Sequence, residues 1–450
     1  MTRRENSEYA IREAVGILLF FLFSIPALSQ TPCQPTGSGV CWYVSTTGND
    51  SNTGNTRAAP KRNIEQTVNG AGPGDEIIVL NGTYNCTNQS PNQDPCVGDP
   101  SSVLIRLVAN GTAGNPIVIT CDTYLGCLID GMMNPANTNA STDEAFVGRP
   151  GGNYVTIENF EIANFIDKAF ENCCTLAGTN VVLTRNWIHD IGRYCTTTGI
   201  GRDGVYFNYG PATVTDNIFS DIGRYAVGEQ GCTASLPQND HCVYISGQYG
   251  VISDVLVANN IFYRNERGGC VQIYPSGANN INILNNTFIN ADLQSGSSQG
   301  QIIVSTCGTS PGCTNINIEN NISYQPGNHF VWLSTNAETV TGTIANNVVY
   351  GTSNVTSPNP GGVNFTITGN IFADPKLMNV GNTTMDTAPT TPDAHLQAGS
   401  PAVGAGLTLA MVPGDFAGTA RIPGAYDIGT YAYSLAPTIA PPTNLQVVVH

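Results

Sequence analysis

One short pattern returns along the middle of the chain: an asparagine followed by an apolar or aromatic run. The copies centre on Asn159 (ENFEI), Asn186 (RNWIH), Asn217 (DNIFS), Asn260 (NNIFY), Asn286 (NNTFI), Asn321 (NNISY), Asn347 (NNVVY) and Asn370 (GNIFA). Their spacings are 27, 31, 43, 26, 35, 26 and 23 residues. A repeat of this length, made of short strands and turn residues, reads as a solenoid. One coil cannot bury its own apolar face, whereas stacked coils bury a shared one. The expected fold is all-β: a right-handed parallel β-helix. Each coil offers an asparagine at the same turn, and its amide can both donate to and accept from the neighbouring copies. The long spacings are coils with loops inserted at a turn.

Residues 1–29 read as a secretory signal. Arg3, Arg4 and Arg12 precede an apolar stretch from Val15 to Ile25, and Ala27-Leu28-Ser29 fits a cleavage site. No later segment is apolar for long enough to span a membrane. The leader holds three arginines and three glutamates, so its removal leaves the net charge at −16. That balance excludes nucleic acid as a partner. All fourteen cysteines lie beyond the leader, which points to disulfides, an oxidising compartment and a secreted or cell-surface location. Cys33/Cys41, Cys86/Cys96, Cys121/Cys127 and Cys307/Cys313 are local pairs. Cys242 and Cys270 stand at matching positions one coil apart and suit a cross-coil bridge. No Cys-x-x-Cys pair suggests zinc.

Within the mature chain, residues 41–375 are the expected solenoid. Trp42–Ser45, Ile77–Leu80 and Ile117–Thr120 read as early strands, and residues 63–70 as a short helix capping the open amino-terminal end. Residues 150–375 form the repeat body. A second strand recurs there at 203–208, 241–246, 269–274 and 300–305. Alternation turns Val205/Phe207, Val243/Ile245, Val271/Ile273 and Ile302/Val304 inward, and Tyr206, Tyr244, Gln272 and Ile303 outward. Residues 376–433 lose the repeat and read as a carboxy-terminal closing region. Residues 434–450 are a proline-rich linker and tail. A monomer is expected.

The segment WYVSTTGNDSNTG (42–54), then Pro60, Ile64 and PGDEIIVLNGTY (73–84), resembles the amino-terminal signature of secreted right-handed parallel β-helix proteins of the pectin-lyase-like superfamily. The NNIF-type coils and HCVYISG (241–247) are similar to its repeat. IFADPKL (371–377), HLQAGSPAVGAG (395–406) and DFAGTARIPGAYDIGTYAY (415–433) resemble the choice-of-anchor Q region of exported bacterial β-helix proteins. The resemblance covers nearly all of 41–433. It implies fold and export; the superfamily includes lyases, hydrolases, epimerases and proteins without known catalysis, so activity is left to the residues.

Aligning coils on their asparagines exposes a polar stripe. DIGRY occurs twice, at 190–194 and 221–225. Seven residues after successive asparagines stand Arg193, Arg224 and Arg267, with Asp190, Asp221 and Arg264 at the fourth position. At about 4.8 Å per coil the arginines would form a strip roughly 10 Å long. Guanidinium groups hold carboxylates bidentately, so the strip reads as substrate-binding subsites for an acidic polysaccharide. The same residues also suit a structural ladder in which the aspartates neutralise the arginines.

A second constellation opens the other strand. Asp203 and His241 occupy matching positions on adjacent coils, beside Arg202, and Tyr206 and Tyr244 follow on the outer face with Gln272. A uronate lyase needs a carboxylate neutraliser, a base for the C5 proton and an acid for the leaving oxygen. Arg202 suits the first role, with calcium as its alternative. His241, oriented by Asp203, suits the second, and Tyr244 the third. His189, beside Asp190, is the other histidine candidate. Many superfamily lyases use a lysine or arginine base beside calcium; here Lys168 is the only lysine of the repeat body. The expected function is therefore polysaccharide binding or cleavage, lyase-like on an acidic glycan. The rival is a non-catalytic adhesin, glycan-binding module or structural envelope protein.

Overall fold

Each complete coil is built from three short strands separated by three corners. One coil runs Val181–Thr184, Trp187–Ile191 and Asp203–Phe207, and the next Ala212–Thr215, Ile218–Ile222 and His241–Ile245. The first strands stack into an eleven-stranded sheet (sheet A), the second into a nine-stranded sheet (sheet B) and the third into an eight-stranded sheet (sheet C). Pairing within these sheets is parallel and brings like positions together, for example Leu183 with Val214 in sheet A and Val205 with Val243 in sheet C. This is a parallel β-helix, with the right-handed crossover that parallel connections adopt. The computed structural model describes residues 30–434 except 90–95, 97–101, 135–137, 139–140, 174–176, 197–198, 200, 226, 234–238, 266–267, 276, 292–299, 334–338, 358–362 and 383–390. The expected leader, all but the first residue of the proline-rich tail, and Arg267 lie outside the described residues. Among the described residues no helix is long and apolar enough to cross a membrane.

Alternation places the core as the pattern requires. Val205, Phe207, Val243, Ile245, Val271, Ile273, Ile302 and Val304 are all buried. Phe219, Phe262 and Phe288 stack at 5.2 and 4.7 Å along the interior, a geometry worth about 0.5–1.5 kcal/mol per pair beyond area burial. Ile303 faces outward but is buried as well, in contact with the Gly269 position, where an added Cβ would meet its Cγ1 at 2.7 Å.

The asparagine ladder forms at the corner between sheets A and B. The Asn286 side-chain amide and backbone N–H both donate to Asn321 Oδ1 (3.0 and 2.9 Å), and the amide also donates to the Val257 carbonyl (2.8 Å). The same bonds run from Asn186 through Asn217, Asn260, Asn321 and Asn347 to Asn370. Each buried amide is thereby satisfied by its neighbours. Asn159 departs from the expected alignment. Trp187 pairs with Glu161, so Phe160 stands opposite Asn186 and its N–H donates to Asn186 Oδ1 (3.0 Å). Asn159 sits one residue earlier, in the left-handed region (φ 68°), in line with Arg185, Asp216, Asn259, Asn285, Asn320 and Asn346 (φ 50–58°). The corner needs one such residue per coil, and asparagine and aspartate tolerate it best.

The amino-terminal helix is Ile64–Asn69, capped by Asn63, whose side chain accepts from the Gln66 N–H. It covers the free edge of sheet C. Glu65 accepts from the Arg106 N–H (2.9 Å), and Asn69 accepts from Val108 N–H and donates to the Arg106 carbonyl. The edge strand Val103–Leu107 thus has side-chain partners in place of another coil.

The carboxy-terminal region lies along the side of the solenoid. Leu377, Leu396, Ala402, Ile428 and Tyr431 pack on Ile261, Tyr263, Ile289, Ile322 and Val348, the outward apolar row of sheet B. Buried Arg421 ties it down by donating to Asn259 Oδ1 and to the carbonyls of Asp427, Gly429 and Thr430. An apolar outer row on four consecutive coils needs cover, and this segment supplies it.

Asn286→Ala should lower stability by roughly 2–4 kcal/mol in chemical denaturation, because it orphans the buried Val257 carbonyl and two donors of Asn260. Asn159→Gly, outside the ladder and at a left-handed residue, should cost less than about 1 kcal/mol. Equal losses at both positions would contradict the offset.

Candidate functional site

Among the described residues the carboxy-terminal segment packs on sheet B and not on sheet C, and the connections leading into the strands of sheet C carry the long insertions (192–202 and 223–240). Where these connections meet the strand starts, charge gathers. Successive coils bring the pairs Asp143-Glu144, Asp167-Lys168, Arg202-Asp203 and Asp240-His241 into one stack, with Glu144, Lys168, Asp203 and His241 in direct register. Asp, Glu, Lys and Arg make up only 11% of the whole chain, so seven of them beside His241 in one stack mark this corner out.

Lys168 is the hub. Its ammonium bonds Asp167 and lies 3.1 Å from Glu171 and 3.6 Å from Glu144; it also sits over the Tyr206 ring at 5.6 Å. Against the cost of burial, these carboxylates hold its pKa well above the ordinary lysine value. A charged Lys168 is no base in this arrangement. Arg202 bonds Asp167 (3.0 Å) and donates to the Tyr194 hydroxyl (2.6 Å). Against burial, Lys168 and Arg202 together keep the Asp167 carboxyl below its usual value. Burial pushes Glu144 and Asp203 well up, Lys168 opposing, and raises Asp143 to about 7 with the Asp167 charge adding to it. Neighbouring carboxyls are thus driven to opposite protonation states.

The structure brings Arg202, Asp203, His241, Tyr206 and Tyr244 together, as expected, and changes one relation among them. Asp203 accepts from the His241 backbone N–H (3.1 Å) and leaves the ring to others. The ring Nδ1–H donates to the Gly269 carbonyl (2.6 Å). His241 is accordingly not made more basic: burial lowers its pKa to about 4, which keeps it neutral. Tyr244 stacks on His241 at 5.4 Å and on Tyr206 at 4.9 Å, and burial raises its pKa, so it stays a proton donor. Gln272 continues the row beside Tyr244.

The arginine row takes the ladder form. Arg224 is wholly buried, and Asp240 grips it at Nε (3.0 Å) and through the second carboxyl oxygen (2.7 Å). Arg193 is buried against Glu229 and donates to the Gly223 carbonyl; Arg264 pairs with Asp221 (2.8 Å). Neither Arg193 nor Arg224 therefore stands on the surface as a subsite. Asp190, Asp221 and Arg264 are left-handed turn residues (φ 51–55°), so the recurrence of DIGRY reflects a corner. The two constellations do meet: Asp240 accepts from the backbone N–H of both Arg202 and Arg224 (2.9 Å each). His189 lies apart, on sheet B, stacked on Trp187 at 3.8 Å. Against burial, hydrogen bonds to Asp190 (2.7 Å) and Glu161 (3.1 Å) raise its pKa to about 9.

The four local disulfides and the Cys242–Cys270 cross-coil bridge form as expected. A sixth, Cys195–Cys232, links the two inserted connections above the charged stack. The Arg193–Glu229 pair and the bond from Asn239 to the Gly199 carbonyl (2.6 Å) lie on the same two connections. Spacing gave no hint of this bridge, since its partners are 37 residues apart. Lys168 stood out in the sequence as the only lysine of the repeat body, but its partners Asp143, Glu144 and Asp167 were hidden: their coils carry no DIGRY and no ladder asparagine. Among the described residues no three His, Cys, Asp or Glu side chains converge to hold a metal ion.

No family model matches the chain, and no curated protein matches it either. Among solved structures it is similar to pectate lyase Pel9A (TM-score 0.42, 15% identity, covering 88% of this chain and 97% of that one). It is also similar to a mannuronic acid-specific family 6 polysaccharide lyase from human gut microbiota (0.43, 12%, 70% and 66%) and to a rhamnogalacturonan lyase (0.36, 10%, 80% and 97%). At such scores none of them lends this chain a residue role.

Between pH 4 and 7 the folded Asp143 holds a proton that the unfolded carboxyl (3.8) has lost. Its contribution is therefore full below about pH 4 and disappears as pH rises through 7. Asp143→Asn should gain stability relative to the parent across that window, on the order of 2 kcal/mol, read as the difference in Tm between pH 4 and 7. Histidine NMR should show His189 charged up to about pH 9 and His241 neutral down to about pH 4.

Proposed function

We propose that the chain cleaves an acidic polysaccharide on the outer face of sheet C, by β-elimination beside a uronate residue. The observation that carries this reading is the in-register stack Glu144, Lys168, Asp203, His241, with Arg202 and Tyr244 alongside. Arg202 and Lys168 supply the positive charge for the uronate carboxylate, which exchanges with their bonds to Asp167. Burial favours the neutral forms of Glu144 and Asp203, and this reduces the repulsion an anionic chain meets. His241 has its Nδ1–H committed to Gly269, so Nε2 is the nitrogen that takes the C5 proton. The C5–H electrons form the C4–C5 double bond, the C4–O bond breaks, and Tyr244 protonates the leaving oxygen. His241 then returns its proton towards Tyr244. Asp203 acts as a positioning residue through the His241 backbone.

A second reading, hydrolysis, is favoured by one observation: Asp167 is shifted towards its ionised form while burial shifts Glu144 and Asp203 towards their neutral forms, the kind of split that separates base from acid in glycoside hydrolysis. Export to the cell surface or beyond is part of the proposal, supported by six disulfides among the described residues and by the leader-like residues 1–29.

Incubation with a panel of uronate polymers should release unsaturated products seen by ultraviolet absorbance. His241→Ala should lower kcat about 10²–10⁴-fold per folded molecule, with a lower Tm because the buried Gly269 carbonyl loses its donor. New reducing ends without unsaturation would transfer the reading to hydrolysis. Glycan binding with neither product would leave a non-catalytic surface module.

A further inference from the structure

Sheet C is charged where its strands begin and aromatic where they end. Lys168 covers one face of Tyr206, Tyr206 stacks on Tyr244, and Tyr244 stacks on Tyr274 at 6.4 Å. The column crosses coils and stops at Tyr274, the most exposed of its rings (37%). The corner around it differs in kind from the charged one. The turn after His241–Ile245 reads SGQYGV (246–251), and Val271–Ile273 is followed by Tyr274 and Pro275; neither stretch contains a charged residue. Tyr249 and Val251 on the first turn are exposed, at 46% and 53%. The two turns pack together, since a Cβ on Gly277 would touch Val251 Cγ2 at 3.0 Å. Gln248 reaches back to the Tyr206 hydroxyl at 3.5 Å, so this corner and the tyrosine column share one surface. An uncharged, tyrosine-bearing face exposed to water suits a flat apolar partner edged with hydroxyls, which describes the face of a pyranose ring.

We propose that Tyr274, with Tyr249 on the neighbouring turn, forms a second sugar-binding subsite that stacks on a pyranose ring beyond the bond that reacts. This rests on the cleavage reading for its orientation. Ring to ring, His241 to Tyr244 is 5.4 Å and Tyr244 to Tyr274 is 6.4 Å, so Tyr274 lies within about 12 Å of His241, two to three coil spacings. The glycan is held by its charge at one end of the surface and by its ring faces at the other. The subsite selects for chain length and not for the carboxylate of the sugar it holds.

Calorimetry with the full chain tests this, using tetragalacturonate, a mannuronate tetramer and xylotetraose, with the matching dimers. Tyr274→Ala should weaken tetramer binding about fivefold and leave dimer binding as in the parent. Tyr274→Phe should bind like the parent, which separates ring loss from misfolding. Tetramer binding unchanged in Tyr274→Ala, or no tetramer bound by the parent, overturns the subsite. The two proposals fail separately. Tyr274-dependent binding without any product supports the subsite and sinks cleavage, whereas cleavage of tetramers at equal KM with and without Tyr274 overturns the subsite alone.

Discussion

The fold depends on one buried hydrogen bond repeated along the axis: the amide of each corner asparagine to the oxygen of the next. An amide sealed from water is costly unless all its donors and acceptors are met. Here each meets them only if the following coil is present and in register. A slip of one residue would leave a row of polar groups unsatisfied and turn the apolar strand positions outward. The left-handed residue before each asparagine aims the amide inward, so turn conformation and side-chain ladder reinforce each other.

That register is what builds the charged corner. Glu144, Lys168, Asp203 and His241 are separated by 24, 35 and 38 residues in the chain and become direct neighbours across adjacent coils. Their energetics follow from being pressed together away from water. Lys168 cannot lose its proton among so many carboxylates, and the carboxylates cannot all keep their charge around one ammonium. Proton affinity is therefore divided among them by position, with the Asp167 pKa lowered by Lys168 and Arg202 and the Asp203 pKa raised by burial. The two long connections beside them are linked by the Cys195–Cys232 disulfide and the buried Arg193–Glu229 pair.

The outer faces of the two sheets differ. Sheet B has an apolar outer row, and the carboxy-terminal segment occupies it. Sheet C has a charged and aromatic outer row on which no carboxy-terminal residue packs among the described residues. The carboxy-terminal closing region lies along the side of the solenoid, where its leucines and tyrosines match the row on sheet B.

Several features were legible from residues alone. The asparagine period gave the coil, alternation gave the inward positions, and the local cysteine pairs and the Cys242–Cys270 bridge followed from spacing. Asp203 and His241 were recognisable as neighbours because their strands share a pattern. Pattern also misled: Arg193 and Arg224 repeat like a binding row, yet a repeat records corner geometry as readily as chemistry, and only packing shows Asp240 and Glu229 closing on them. The place of Asn159, the hub at Lys168 and the Cys195–Cys232 link were decided by tertiary structure alone. Sequence reveals what recurs at a fixed period, whereas a site built from unlike residues on successive coils exists only once the coils are stacked.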